Sequence, residues 1–160
     1  MRLVIVFTTL IIFTCLACDL TYGPIDLLAK NSARDLVDRQ IKTIAIAPFN
    51  SMNGKYQNMS SILREKYKAK LSTRAEFFNI SDRTEVQTLL AEQDLRESGM
   101  FREETITKLG SMYSINGVVT GKFIVTENWL GNPKKVTLFI TNISLASGVS
   151  KSFEATEIPL

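Results

Sequence analysis

An α/β (α+β) chain is expected, a single mixed β-sheet with packed helices that ends in an antiparallel β-meander. Three observations lead there. Strand-like and helix-like stretches alternate from residue 42 to residue 117. The last third changes to a period of two. Between them, residues 77–99, FFNISDRTEVQTLLAEQDLRESG, read as a strand, a tight polar turn and an amphipathic helix. Alternating elements put helices on the faces of a sheet, and consecutive short strands joined by tight turns pair with their neighbours.

Pro24 suits a first helical turn, and Ile25, Leu28, Ala29, Leu36 and Val37 recur at helical spacing as far as residue 40. Residues 42–49, KTIAIAPF, form the clearest strand. Ile44 and Ile46 point one way, and Thr43, Ala45 and Ala47 the other, so both faces are small or apolar as in a sheet covered on both sides. Pro48 lacks an N–H and is expected to end the ladder. Residues 50–55 make a loop turning at Asn53-Gly54, whose single glycine does not make a phosphate loop. A helix is expected over residues 56–71, burying Met59, Ile62, Leu63, Tyr67 and Leu71. Its Arg64, Lys66, Lys68 and Lys70 alternate with Glu65, Tyr67 and Ala69, which predicts a solvated face rather than a basic patch.

In the strand–turn–helix corner, Phe77, Phe78 and Ile80 supply the strand. Thr84 with Gln87 three residues on spells a capping box, and Val86, Leu89, Leu90 and Gln93 fall on one helical stripe that Gly99 closes. Asp82 and Arg83 occupy the turn. Their residue types fit local hydrogen bonds from the carboxylate and a guanidinium tie to nearby acceptors, or a partner contact. Met100 and Phe101 are expected to pack back on the core. Thr105, Ile106, Leu109, Met112 and Tyr113 predict a further helix opened by Glu103 and Glu104. Residues 118–126, 135–144 and 149–158 complete the meander, joined by a longer loop at Leu130-Gly131-Asn132-Pro133 and a tight one at Ser147-Gly148.

The 160 residues suffice for one domain, and 45% hydrophobic with 22% charged residues is the balance of a folded chain rather than a disordered one. A net charge of +3, without basic residues set beside stacking aromatics, gives no reason to expect nucleic acid. There is no histidine, which removes Ser-His-Asp and Cys-His catalysis and histidine-ligated metal. Glu103 and Glu104 are adjacent and read as a charged helix start, not as a glycosidase pair. No enzyme, cofactor or metal is expected. The Asn-x-Ser triplets at Asn58, Asn79 and Asn142 are read as coincidental.

Residues 1–18, MRLVIVFTTLIIFTCLAC, have a charged Arg2, an apolar run of leader length, and small Ala17 before Cys18. The end of this stretch resembles the lipobox of bacterial lipoproteins, with Cys15 at the position three before the cysteine and Leu16 shifted by one. The resemblance implies a leader over 1–17, a diacylated Cys18 in a tether over 18–23, and one domain over 24–160. Both cysteines lie in this stretch, so cleavage before Cys18 leaves one thiol and no internal disulfide. A thioether to lipid removes that reactive thiol and anchors the chain in a membrane.

Three blocks, TIAIAPF, then FFNISDRTEVQTLLAEQDLRESG, then ITKLGSMYSINGVVTGKF, stand in the order of the CsgG-like superfamily of bacterial envelope lipoproteins, which the chain resembles. That superfamily includes the curli-secretion channel protein, the flagellar lipoprotein FlgO and the LpoB-type activators of peptidoglycan synthases. The matching residues are Pro48-Phe49, Asp82-Arg83, Leu109-Gly110 and the run ending at Gly121, and the ending VSKSFEATEIP resembles FlgO-like tails. The resemblance implies a lipid-anchored accessory or assembly factor of the cell envelope or flagellum that binds another envelope protein, at the outer membrane facing the periplasm. A subunit of a curli-type secretion channel and an activator of a peptidoglycan synthase are the alternatives, and a homo-oligomer is compatible with all three. The loops leave no spare pair of long alternating strands, which disfavours the pore.

Overall fold

The computed structural model describes residues 23–91 and 103–158. The chain runs α1 (Pro24–Asp38), β1 (Thr43–Ser51), α2 (Met59–Ser72), β2 (Asn79–Ser81), α3 (Thr84–Ala91), α4 (Glu103–Tyr113), β3 (Gly117–Glu127), β4 (Pro133–Ser144) and β5 (Ser150–Ile158). The strands form one mixed sheet in the order β2-β1-β3-β4-β5. β1 is parallel to both β2 and β3, and β3, β4 and β5 are antiparallel. The α/β (α+β) sheet with packed helices and a terminal meander is therefore present as expected. Residues 92–98 of the predicted corner helix, with Gln93 of its stripe, and Gly99, Met100 and Phe101 lie outside the described residues.

Two cores follow from the two faces. On the first, α1 and α2 bury Leu28, Leu36, Leu63, Tyr67 and Leu71 against Ile44, Ile46, Phe49, Phe123, Leu138 and Ile140. On the second, α3 and α4 bury Val86, Leu90 and Leu109 against Ala45, Ala47 and Val118. Small alanines on β1 let the short helix α3 sit close to the sheet.

Pro48 does not end the ladder. β1 continues to Ser51, and the register slips between Ile46, opposite Val119, and Phe49, opposite Gly121. An extra residue on one strand is a bulge, a place where a proline is tolerated because no donor is required. The bulge also reverses the alternation. Ala47 faces the second core, while Phe49 joins Ile46 in the first. There the Phe49 ring lies over Gly121, where an added Cβ would come within 2.3 Å of the ring, and it tilts against Tyr67 at a centroid distance of 5.9 Å.

Other expectations are corrected at the edges of elements. α2 starts at Met59 rather than at residue 56, and Ile62 is 53% exposed, outside the buried stripe. β2 holds only three residues, with Phe78 buried before it and Phe77 71% exposed. Val37 and Met112 are also exposed, because α1 and α4 each bury a narrower stripe than their apolar residues span. Among the described residues, no helix is long and apolar enough to cross a membrane.

Candidate interaction sites

Because β2 is short, among the described residues no strand pairs with β1 beyond Ala45 on the edge away from β3. Its carbonyls are met by α2 instead. Arg64 donates to the Ile46 carbonyl through Nε (3.2 Å) and Nη2 (3.1 Å), and Ser60 Oγ donates to the Phe49 carbonyl. Arg64 is thus a half-buried structural group, not part of a solvated face, because a guanidinium fork can serve several acceptors at once.

The same guanidinium reaches the predicted corner. Arg64 Nη2 donates to Gln87 Oε1 at 2.5 Å, so Gln87 turns toward α2 and no capping box forms with Thr84. Gln87 Nε2 is buried without a partner among the described residues. Asp82 is exposed, and its Oδ1 pairs with Lys68 Nζ at 2.8 Å. Arg83 is exposed in the same turn. Asp82 and Arg83 therefore sit at the surface of a corner pinned to α2 by two cross-element contacts. A shallow groove beside it, between α3 and α4, is lined by Thr84, Glu85, Leu89, Lys108, Met112 and Tyr113.

A second surface feature was not anticipated. The β3–β4 loop carries Trp129, 91% exposed, and Leu130, 62% exposed. The backbone beneath them is fixed. Asn128 Oδ1 accepts from the amides of Leu130 (2.9 Å) and Asn132 (3.0 Å), the Asn128 amide donates to Asn132 O at 2.8 Å, and the Gly131 amide donates to Asn128 O at 3.0 Å. Gly131, at φ +79°, takes the left-handed conformation the loop requires. The preceding strand is stapled to the loop after β1. Glu127 pairs with Lys55 at 3.1 Å and accepts from Tyr56 Oη at 3.2 Å. The Lys55 bond holds the Glu127 carboxyl below its ordinary range, against a smaller opposing effect of burial. The sequence signal was the chain's single tryptophan standing among Asn, Gly and Pro, where turn chemistry gives an indole nothing to pack on.

A polar seam lies inside the molecule. Tyr67 Oη donates to Ser32 Oγ (2.7 Å), Ser32 Oγ donates to Asn142 Oδ1 (2.7 Å), and Asn142 Nδ2 donates to Asp35 Oδ2 (3.0 Å). Arg39 Nε pairs with Asp35 Oδ1 at 3.0 Å. Every member has a partner, which is the pattern of a buried seam that fixes α1 on the sheet. Asn142, one of the Asn-x-Ser asparagines, is fully buried there. Among the described residues no group of acidic or cysteine side chains could hold a metal.

In sequence the chain matches no family profile and no curated protein. In structure it is similar to the LpoB C-terminal domain of Salmonella enterica, with a TM-score of 0.51 at 11% identity over 82% of this chain and 95% of that one. The LpoB C-terminal domain of Escherichia coli gives 0.50 at 11% identity, over 81% and 98%. E. coli LpoB gives 0.50 at 12% identity, over 80% and 66%. At these identities the likeness is one of fold.

Proposed function

We propose that this chain is a lipid-anchored bacterial envelope protein, held by Cys18 at the outer membrane and facing the periplasm. It acts without catalysis as an accessory or assembly factor, by binding another envelope protein. The observation that carries this reading is the Trp129-Leu130 pair. Two large apolar side chains stand in solvent on a backbone already fixed by side-chain and main-chain hydrogen bonds. Exposed tryptophan on a preorganised loop is the residue type that dominates binding energy at protein interfaces, because little ordering cost remains when it enters a pocket.

The test is cross-linking and recovery of the anchored protein from intact cells, comparing wild type, Trp129→Ser and Asp82→Ala. Loss of one specific co-recovered protein in Trp129→Ser, with retention in Asp82→Ala, is the expected result. Equal recovery by wild type and Trp129→Ser sinks the reading of the loop, and loss in Asp82→Ala alone moves the contact to the β2–α3 corner.

One observation favours a second, more specific reading, activation of a peptidoglycan synthase. The fold matches that of the LpoB C-terminal domain over nearly the whole of that domain, and the superfamily resemblance read from the sequence includes LpoB-type activators. Glycan-polymerising and cross-linking rates of purified synthases that stay unchanged when the chain is added would count against it.

A further inference from the structure

The upper half of the second sheet face has no helix over it among the described residues. α3 and α4 cover Ala45, Ala47, Val118 and Ile143, and the cluster they form includes neither Ile124 nor Phe139. These two half-buried side chains belong to neither core. Cross-strand pairing places residues in rows on this face. Lys122 of β3 stands opposite Phe139 of β4, and Phe139 opposite Glu154 of β5. The adjoining row is Thr120, Thr141 and Ser152, with Thr141 Oγ1 and Ser152 Oγ 2.8 Å apart. Among the described residues neither Lys122 nor Glu154 has an ion-pair partner.

The row Lys122–Phe139–Glu154 is complementary to itself. A two-fold axis lying between two facing sheets and along β4 sets Phe139 against Phe139, and sets the Lys122 of each copy against the Glu154 of the other. Aligned face-to-face packing of this kind is a standard way for two sheets to meet. The hydroxyl row beside it is short enough to let the sheets approach to about 10 Å. We propose that this face is a symmetric interface between two copies of the chain. Three strands about 4.8 Å apart and some seven residues of about 3.3 Å each give a footprint of roughly 14 by 23 Å. That is about 320 Å² per copy, below the roughly 800 Å² per partner of stable specific interfaces, so the dimer is weak and reversible.

The experiment is sedimentation equilibrium of the full anchored chain in density-matched detergent, at low and high salt, with Lys122→Glu, Glu154→Lys and the double exchange. Wild type is expected to dimerise reversibly and less tightly at high salt. Each single change sets like charges face to face at both symmetric positions and is expected to weaken the dimer about tenfold or more. The double exchange restores opposite charges and returns the affinity to within about threefold of wild type. Urea melts of all four chains separate a lost interface from a lost fold, and the restored double variant cannot be explained by misfolding. A chain that stays monomeric throughout overturns the proposal. So does a dimer indifferent to the single changes, or a double exchange no tighter than the singles.

Discussion

Phe49 reaches the main core only because one extra residue lies between Ile46 and Phe49 on β1, and it fits there only because β3 offers Gly121. The two residues come from separate blocks of the sequence, and the contact explains why a Pro-Phe pair and a strand closing on glycine go together in this chain. The ring is also packed against Tyr67 and is fully buried, so it has little room to yield. Gly121→Ala is therefore expected to destabilise by about 1–3 kcal/mol, the cost of forcing a tight core apart. Gly110→Ala, on an exposed helical surface with open space around it, is expected to be neutral or mildly stabilising. Urea midpoints of the two variants check this, and a Gly121→Ala midpoint as high as that of Gly110→Ala would contradict it. Tyr67 carries a pH signature as well. Burial pushes its hydroxyl well above the ordinary tyrosine range, outweighing the hydrogen bond to Ser32. Above about pH 10 the unfolded chain gives up a proton that the folded chain retains, so stability falls as pH rises further. Tyr67→Phe should lose about 1 kcal/mol near neutrality and show a shallower alkaline decline than wild type in urea midpoints measured from pH 8 to 11. Parallel declines would show that Tyr67 does not titrate on unfolding.

At the scale of elements, α1 is fastened to the meander through Asn142. Its amide satisfies both Ser32 and Asp35, and Asp35 in turn holds Arg39, whose Nη1 donates to the Val149 carbonyl at 2.9 Å. Asn142→Ala leaves a buried carboxylate oxygen and a hydroxyl short of partners and should cost about 2–3 kcal/mol. Asn79→Ala, on the exposed side of the edge strand, should stay within about 0.5 kcal/mol. Equal urea midpoints for the two would dismiss the seam as a fastening. None of this seam was legible beforehand, because Ser32, Asp35 and Asn142 are far apart in sequence and each is ordinary where it stands. What was legible has local causes. Period-two alternation gave all three strands of the meander, and the apolar Ile44 and Ile46 beside small Ala45 and Ala47 foretold a sheet covered on both faces. The failures are places where a distant element decides. Pro48 stays in a strand because it falls in the bulge opposite β3, where no donor is required. Gln87 abandons its cap because Arg64 lies within reach. Trp129 stood outside every sequence reading, because sequence pattern does not show how firmly Asn128 fixes the turn.

Among the described residues, the sheet has one face covered by α1 and α2, the other half covered by α3 and α4, and an apolar loop at the far end of the β3–β4 hairpin. On the proposed function, such a body needs only to be held near a partner. The proposed anchor does that. α1 begins at Pro24, immediately after Gly23, so residues 19–23 are all that separates Cys18 from the folded domain. At about 3.5 Å per residue they span at most roughly 18 Å. The domain would stay close to the membrane, and copies confined to one plane would meet at a high effective concentration, which suits a weak symmetric interface. The anchor also answers the chemistry of the sulfur. An exported domain with one unpaired thiol would be exposed to oxidation, whereas a thioether is inert to disulfide exchange. A single acyl chain binds a membrane only marginally and two bind it stably, so the diacylated form is the one that would hold the domain in place. Cells grown with a labelled fatty acid should therefore incorporate label into the wild-type chain and none into Cys18→Ser, and the variant should leave the membrane fraction while its domain keeps the wild-type urea midpoint. Equal label in both chains would refute the anchor. Loss of label with retention at the membrane would show that the Trp129 loop or another surface holds the domain there without lipid.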